Sequence, residues 1–390
     1  MYLQRLTLAN FKNYEALNLQ FSAGMILISG KNGCGKTNLL DAVHLLCLGK
    51  SYFTSQDLNC VKHEQNFYRV EGDFMLNEQA ENICATFETG AKKEISRNRV
   101  FYPRLSHHVG KFPAVMIAPD DINIINEGSE ERRRLIDLTL SQLNHSYLDE
   151  LMSYNKVLAE RNAALKKFAE NNFFDNILID AFDAQLVKYG NEIYWKRKKI
   201  FEKWIEPLTF FYKEISGRRE VPEMIYESSL HEISFSDLLK QNREKDKYAA
   251  RTTDGIHRDD LNLLLNGTAV KKFGSQGQKK TFLLALKLSQ YQLIAQQLDL
   301  LPVLLLDDVF DKLDEHRVKK LVEIVSAENF GQVLITDTQE ERMKVCLQHT
   351  KSTFASASAY KEISFVNVEE LISKQLNYVV GFQPTTQTTN

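Results

Sequence analysis

Short apolar runs bounded by polar residues or glycine open the chain. Leu3, Leu6 and Leu8 lead to Phe11, and Met25-Ile26-Leu27-Ile28 follows. Runs of this length between turn residues predict strands. Asn38–Leu48 is denser, with Leu39, Leu40, Ala42, Val43, Leu45 and Leu46, and predicts a helix. The order is therefore strand, Gly-rich turn, helix. Segments 68–76 and 83–88 predict further strands.

The middle of the chain changes character. No glycine lies between Gly128 and Gly190, and no proline between Pro119 and Pro207. Leu140, Leu143, Tyr147, Leu151, Tyr154 and Leu158 recur at steps of three and four, the helical spacing. Phe182, Leu186, Ile193, Ile200 and Trp204 continue it. A sustained heptad seam is absent, so no long coiled coil is expected. Strands return near residue 250. His257–Leu265 ends in Asn266-Gly267, a hairpin signal. Thr281–Ala295 predicts a helix. Val303–Leu306 is apolar without alternation, as in a parallel strand covered on both faces, and Val333–Ile335 is similar. The polar, Thr-rich end Gln383–Asn390 predicts a disordered tail. The pattern describes an α/β fold interrupted by a mainly helical domain, with segments 1–115, 116–248 and 249–390 and no internal repeat.

Composition narrows the function classes. A chain of 390 residues has room for two or three domains. Its net charge of −2 excludes a chain-wide basic character. Any polyanion contact must use a local patch, or a surface made by pairing two chains. Five scattered cysteines, with no Cys-x-x-Cys pair and no His at zinc spacing, suggest a reducing compartment. The start MYLQRLTLANFKNY lacks the pattern of a secretory signal, and the apolar runs are too short to span a bilayer. A soluble, cytoplasmic protein without a membrane partner is expected.

Gly30-Lys31-Asn32-Gly33-Cys34-Gly35-Lys36-Thr37 matches G-x-x-x-x-G-K-[ST] at every fixed position. Phosphate oxygens need several backbone N–H donors converging on them, and glycine permits the backbone shapes this requires. The helix that follows adds its N-terminal N–H groups and dipole. In this reading the loop binds ATP, Lys36 reaches the β/γ phosphates, and the Thr37 hydroxyl coordinates Mg²⁺. The chain has no Asn-Lys-x-Asp motif, which argues against GTP. Cys34 reads as a small tolerated side chain.

Val303–Leu306 runs into Asp307-Asp308. The C-terminal end of a buried parallel strand faces the nucleotide crevice. Asp307 is thus expected to hold Mg²⁺, and Asp308 to orient or deprotonate the attacking water. Catalysis would rest on Lys36 and Asp308.

Ser275, Gly277 and Gln278 open the helix at Thr281–Ala295 and can form a second anion site from hydroxyl, backbone N–H and helix dipole. A Ser-Gly helix cap would look the same. A phosphate loop with one Ser-x-Gly-Gln element resembles the ABC ATPase superfamily. The resemblance implies an ABC-type P-loop ATPase head, a mixed sheet with flanking helices, in which the signature of one head caps the γ-phosphate held by another. Asp311-Lys312-Leu313-Asp314 stands where that superfamily has its D-loop, with Asp311 in place of the usual Ser. Thr336-Asp337-Thr338 stands where a switch His is common. The γ-phosphate sensor is then a Thr or missing, and hydrolysis should be slow.

More specifically, the chain resembles the RecF family, bacterial recombinational repair proteins related to SMC heads. The resemblance is carried by Leu8-Ala9-Asn10-Phe11-Lys12-Asn13-Tyr14, the phosphate loop, Ala118-Pro119-Asp120-Asp121 with Gly128 and Glu131-Arg132-Arg133-Arg134, and Asp254-Gly255-Ile256-His257-Arg258-Asp259-Asp260. The signature, the Asp-Asp strand and Leu313-Asp314 complete it. These cover residues 1 to about 340 in order, and nothing after about 350 carries a motif. The family implies an ATP-dependent homodimer and slow DNA-stimulated hydrolysis. It also implies binding of single- and double-stranded DNA at gaps, and work with RecR and RecO.

Candidate DNA contacts are Lys196-Arg197-Lys198-Lys199 beside Trp195, Arg132-Arg133-Arg134 and Lys92-Lys93. Basic residues neutralising phosphates would give affinity without reading sequence. Such runs are ordinarily solvated helix faces, and Arg132–Arg134 could instead touch the Asp120-Asp121 loop. The competing functional reading is an ABC-type regulatory ATPase with no DNA in its cycle. Nuclease and transporter readings lack an acidic metal cluster and a switch His, respectively.

Overall fold

The structure is a computed structural model that describes residues 1–217, 220–310, 313–338 and 362–371. The polar end 383–390 and the positions Asp311 and Lys312 lie outside them. The chain forms two compact units, Met1–Pro119 with Asp299–Asn390, and Asp120–Leu298.

The first unit holds two sheets. One is parallel, in the order Ile363–Asn367, Met25–Ser29, Val333–Asp337, Val303–Leu306, Ala114–Ile117. Met25–Ser29, Val333–Asp337, Val303–Leu306 and Ala114–Ile117 are buried at every position, which is why their sequences do not alternate. The helix Lys36–Leu48 follows Met25–Ser29 through the glycine-rich loop and buries all but two of its residues. Ile363–Asn367 lies in the stretch where the sequence showed no motif. It pairs from Ile363↔Met25 to Asn367↔Ser29, so the C-terminal part of the chain extends the sheet next to the phosphate-loop strand.

The other sheet is antiparallel, in the order Tyr14–Gln20, Tyr2–Phe11, Phe67–Leu76, Gln79–Glu88, Glu94–Arg97, Val100–Phe101. Leu3, Leu6 and Leu8 are buried along one face of Tyr2–Phe11. Phe67–Leu76 and Gln79–Glu88 turn through Asn77 and Glu78, both at positive φ (49° and 64°), the geometry of a tight hairpin. Gln332 links the sheets. Its Oε1 accepts the Leu3 N–H at 2.8 Å, and its Nε2 donates to the carbonyls of Leu3 (2.8 Å) and Ser22 (2.7 Å).

The second unit contains Ser129–Leu143, His145–Glu170, Asn176–Ser216, Gln276–Leu298 and a small antiparallel sheet, Thr268–Ala269, Asp260–Leu265, Pro222–Glu227. The apolar series from Leu140 to Leu158 spans two helices. Asn144 separates them and caps the second, its side chain accepting the Tyr147 N–H at 3.0 Å. Pro207 lies inside Asn176–Ser216.

The sequence boundary near residue 248 has no counterpart in the packing, because the unit runs on to Leu298. Asp260–Leu265 pairs with Pro222–Glu227, and Gln276–Leu298 lies along Asn176–Ser216. The Trp204 indole N–H donates to Ser289 Oγ at 2.8 Å across that contact.

Two buried arginines cross-link this unit. Arg161 pairs with Asp183 and Asp246, each at 2.8 Å. Arg197 donates to Asp137 Oδ1, Asp259 Oδ2 and the Ile256 carbonyl, each at 2.8 Å. Tyr226 also donates to Asp259 Oδ2, at 2.5 Å.

Candidate functional site

The loop Gly30–Thr37 joins Met25–Ser29 to Lys36–Leu48. Gly35, the residue before the helix, has φ 110° and an immediate wall. A Cβ there would stand 2.4 Å from Asn13 Nδ2 and 2.8 Å from the Tyr14 hydroxyl. These two side chains hold the loop's carbonyls. Asn13 Nδ2 donates to the Cys34 carbonyl at 3.1 Å, and the Tyr14 hydroxyl to the Gly35 carbonyl at 3.0 Å. In a trans peptide the N–H points opposite the C=O. Fixing those carbonyls therefore turns the N–H groups of Gly35 and Lys36 away from Asn13 and Tyr14. Asn38 Nδ2 secures Asn13 in turn, at 2.7 Å.

Lys12, beside Asn13, pairs with Asp41 at 2.5 Å. Asp41 also accepts the Ser51 hydroxyl (2.7 Å) and the Tyr52 N–H (2.6 Å). A Gly35→Ala variant is expected to lose about 1–3 kcal/mol of stability through strain at that φ. Displacing Asn13 and Tyr14 should weaken nucleotide binding as well. Thermal melting and nucleotide titration check both effects.

Lys36 is almost buried, and its ammonium donates to the carbonyls of Gly30 (2.6 Å) and Lys31 (3.0 Å). The Lys31 N–H donates to Glu369 Oε1 at 2.8 Å, and buried Val368 lies beside Gly30. The residues after Ile363–Asn367 therefore brace the first turn of the loop.

Thr37 opens the helix and faces the acidic strand end. Its hydroxyl lies 3.0 and 2.9 Å from the two carboxylate oxygens of Asp307. Asp307 is fixed by its own N–H to the Ile117 carbonyl at 2.8 Å. Burial raises its carboxyl above the ordinary range, and hydrogen bonds from Thr336 and Thr37 oppose that rise. Asp308 has a left-handed backbone, φ 46°. Thr336 spans both acids: its hydroxyl donates to Asp307 Oδ1 at 2.8 Å and accepts the Asp308 N–H at 3.0 Å.

A hydroxyl and a carboxylate suit a hard dication such as Mg²⁺, which keeps water and phosphate oxygens as its other ligands. Among the described residues no group of three or more His, Cys, Asp or Glu could hold a metal without such help.

Ser275 and Gln278 form a reciprocal capping box. The Gln278 N–H donates to Ser275 Oγ at 3.2 Å, and the Ser275 N–H to Gln278 Oε1 at 2.7 Å. Gln278 Nε2 also donates to Glu220, at 2.5 Å. The cap starts the helix at Gln276, earlier than the apolar pattern suggested, with Gly277 in its first turn. Ser275 is exposed, as is Phe273 at 72%. Asp314 caps Glu315–Val325 by accepting the Arg317 N–H at 2.9 Å, and Leu313 is buried.

The basic runs divide. Arg197 and Arg132 are buried and cannot contact DNA as the sequence suggested. Arg197 is held by Asp137 and Asp259. Arg132 pairs with both oxygens of Asp260 (2.6 and 3.0 Å) and donates to the carbonyls of Ile124 and Glu127. Arg132 does not pair with Asp121, whose ion-pair partner is Lys287 at 3.5 Å. Arg133 donates to the Asp259 carbonyl, Lys196 pairs with Glu150, and Lys93 pairs with Asp57. Trp195 (60% exposed), Lys198, Lys199, Arg134 and Lys92 lie at the surface, with the Lys198 ammonium 5.3 Å from the Trp195 ring centroid.

Sequence reasoning missed Asn13, Tyr14 and Asp41 as supports of the loop, missed the segment that carries its bracing carboxylate, and gave Thr336 no partner.

 The bracing carboxylate is that of Glu369. The supporting contacts join residues far apart in the chain, and only the motif from Leu8 to Tyr14 hinted at two of them, those of Asn13 and Tyr14.

Known proteins resemble this chain over most of its length. The model of the RecF/RecN/SMC N terminal domain matches residues 2–361. The DNA replication and repair protein RecF of Flavobacterium johnsoniae is 42% identical over 354 residues, 91% of this chain and 99% of the relative. The RecF of Bacteroides thetaiotaomicron is 39% identical over 355 residues, 91% of this chain and 95% of that one. A solved structure of the recombination mediator protein RecF with ATPγS, described as part of the RecFOR pathway, superposes with a TM-score of 0.81 at 33% identity. It covers 87% of this chain and 93% of that one. An SMC head bound to the winged-helix domain of ScpA has a TM-score of 0.53 at 16% identity and shares the fold. With a family model spanning nearly all the described residues and relatives matched over almost their full length, the chain belongs to the RecF family.

Proposed function

We propose that the chain is an ATP-gated DNA clamp of recombinational repair. ATP and Mg²⁺ bind at Gly30–Thr37 and Asp307. Ser275, Gly277 and Gln278 of a second copy close over the γ-phosphate, and the resulting homodimer holds DNA. The observation that carries this reading is the approach of Thr37 to Asp307 within 3.0 Å, beside the Lys36 ammonium. It brings a hydroxyl, a carboxylate and a cation to the end of one phosphate loop. The solved RecF relatives with ATP and ATPγS support the choice of nucleotide.

Mg²⁺ would supply charge neutralisation on the phosphates. Asp308 would orient water, and hydrolysis would be slow because no His follows Val333–Asp337 in the switch position. RecR and RecO are the expected protein partners, and the cytoplasm the expected compartment. Among the described residues no helix is long and apolar enough to cross a membrane.

A regulatory ATPase that does not use DNA is the second reading. The burial of Arg132 and Arg197 favours it, because it shrinks the basic surface of one copy. DNA retention decides between the two. With ATP and Mg²⁺, gapped duplex should be held at least tenfold more tightly than without nucleotide. The affinity should fall steeply between 50 and 200 mM salt, as phosphate contacts require. Equal retention with and without ATP would support the second reading.

A further inference from the structure

We propose that Thr336 is a positioning residue for the acidic pair, and that it sets the Mg²⁺ dependence of nucleotide binding. The inference rests on the nucleotide-site reading above and deepens it. Position 336 lies in the strand Val333–Asp337, next to Val303–Leu306 in the parallel sheet. Its side chain is fully buried, so it is removed from direct contact with solvent-borne phosphate.

Its hydroxyl has two strong partners. It donates to Asp307 Oδ1 at 2.8 Å and accepts the Asp308 N–H at 3.0 Å. A hydroxyl has one proton to give, and here it goes to the carboxylate. Asp307 Oδ1 thus stands between two hydroxyls, Thr336 from the strand and Thr37 from the phosphate loop. With Thr37 and Asp307 as ligands of a metal, the Thr336 bond would still hold the carboxylate. The second bond acts on the backbone of Asp308, which has φ 46°, a shape a non-glycine residue adopts at a cost. Thr336 can therefore hold the metal ligand and the water-orienting acid in one geometry. A γ-phosphate sensor would need a side chain that reaches the nucleotide, and Thr336 is committed to the acids instead.

The test is nucleotide titration, with and without Mg²⁺, of wild type, Thr336→Val and Thr336→Ser. Valine keeps the shape and loses the hydroxyl, and serine keeps the hydroxyl. Thr336→Val should keep Mg²⁺-free nucleotide affinity within about twofold of wild type. Its gain in affinity on adding Mg²⁺ should shrink by about tenfold, with half-saturation moved to higher Mg²⁺. Thr336→Ser should restore the wild-type Mg²⁺ response.

A Thr336→Val protein with the wild-type Mg²⁺ response would overturn the proposal. So would a Thr336→Ser protein as impaired as the valine variant, or loss of Mg²⁺-free binding in both variants, since either result would make the defect one of packing. A wild type that binds no nucleotide would instead refute the reading of the site itself, so the two failures are distinguishable.

Discussion

Replacing Arg197 with leucine is expected to destabilise the second unit by about 3–5 kcal/mol, because it strands two carboxylates that the guanidinium now neutralises. Asp137 Oδ1 and Asp259 Oδ2 each accept from Arg197 at 2.8 Å, and the Asp259 side chain is almost wholly buried. The defect should depend on pH. Burial already raises the Asp259 carboxyl above its usual range, while Arg197 pulls it down. Without Arg197 the folded-state value rises further above the unfolded value of about 4. A carboxyl raised in the folded state stabilises most below its unfolded value and loses that contribution as pH rises through the folded value. The deficit of Arg197→Leu should therefore be full at neutral pH and shrink as the pH approaches 4. Denaturant melts of both proteins between pH 4 and 7.5 measure it. An equal deficit across that range would contradict the assignment of Asp259 as a stranded charge.

The second large effect is at Lys36. Replacing it with alanine removes the one ammonium held over the loop by the Gly30 and Lys31 carbonyls. Charge-assisted bonds to phosphate are among the strong ones, so ATP affinity should fall by about 3 kcal/mol, on the order of 100-fold. Folding should change little, since the ammonium's present bonds are to two carbonyls of its own loop. Calorimetric titration with ATP and Mg²⁺, beside a thermal melt, separates the two outcomes.

The parts of this molecule that were legible in the sequence are those whose signal is local. The phosphate loop has fixed spacing within eight residues, Gly30–Thr37, and the strand-loop-helix around it is contiguous. Val303–Leu306 announced a strand covered on both faces through its lack of alternation, and Asn266-Gly267 announced the turn of a real hairpin.

What stayed hidden depends on distant partners. Ile363–Asn367 has no distinctive pattern of its own and acquires its place by pairing with Met25–Ser29. Lys196-Arg197-Lys198-Lys199 reads as one basic run, yet Asp137 and Asp259 draw Arg197 inward while Lys198 and Lys199 stay at the surface. Residues 249–298 fall in the second unit because Asp260–Leu265 pairs with Pro222–Glu227 and Gln276–Leu298 lies along Asn176–Ser216. Ser275 and Gln278 were read as an anion site or a cap. Their reciprocal bonds make the cap visible in a single chain, and an anion-site role needs a phosphate brought by another copy.

That requirement gives the most direct measurement: the mass in solution, with ATP and Mg²⁺, of Lys36→Ala, of Ser275→Arg, and of an equal mixture of the two. Each variant alone should stay monomeric, because every site in its dimer would lack either the loop lysine or the signature serine. The mixture should dimerise, because a hybrid of the two variants contains one site with both halves intact. Dimers of either variant alone at the wild-type level, or a mixture that stays monomeric while wild type dimerises, would contradict a site shared between two copies.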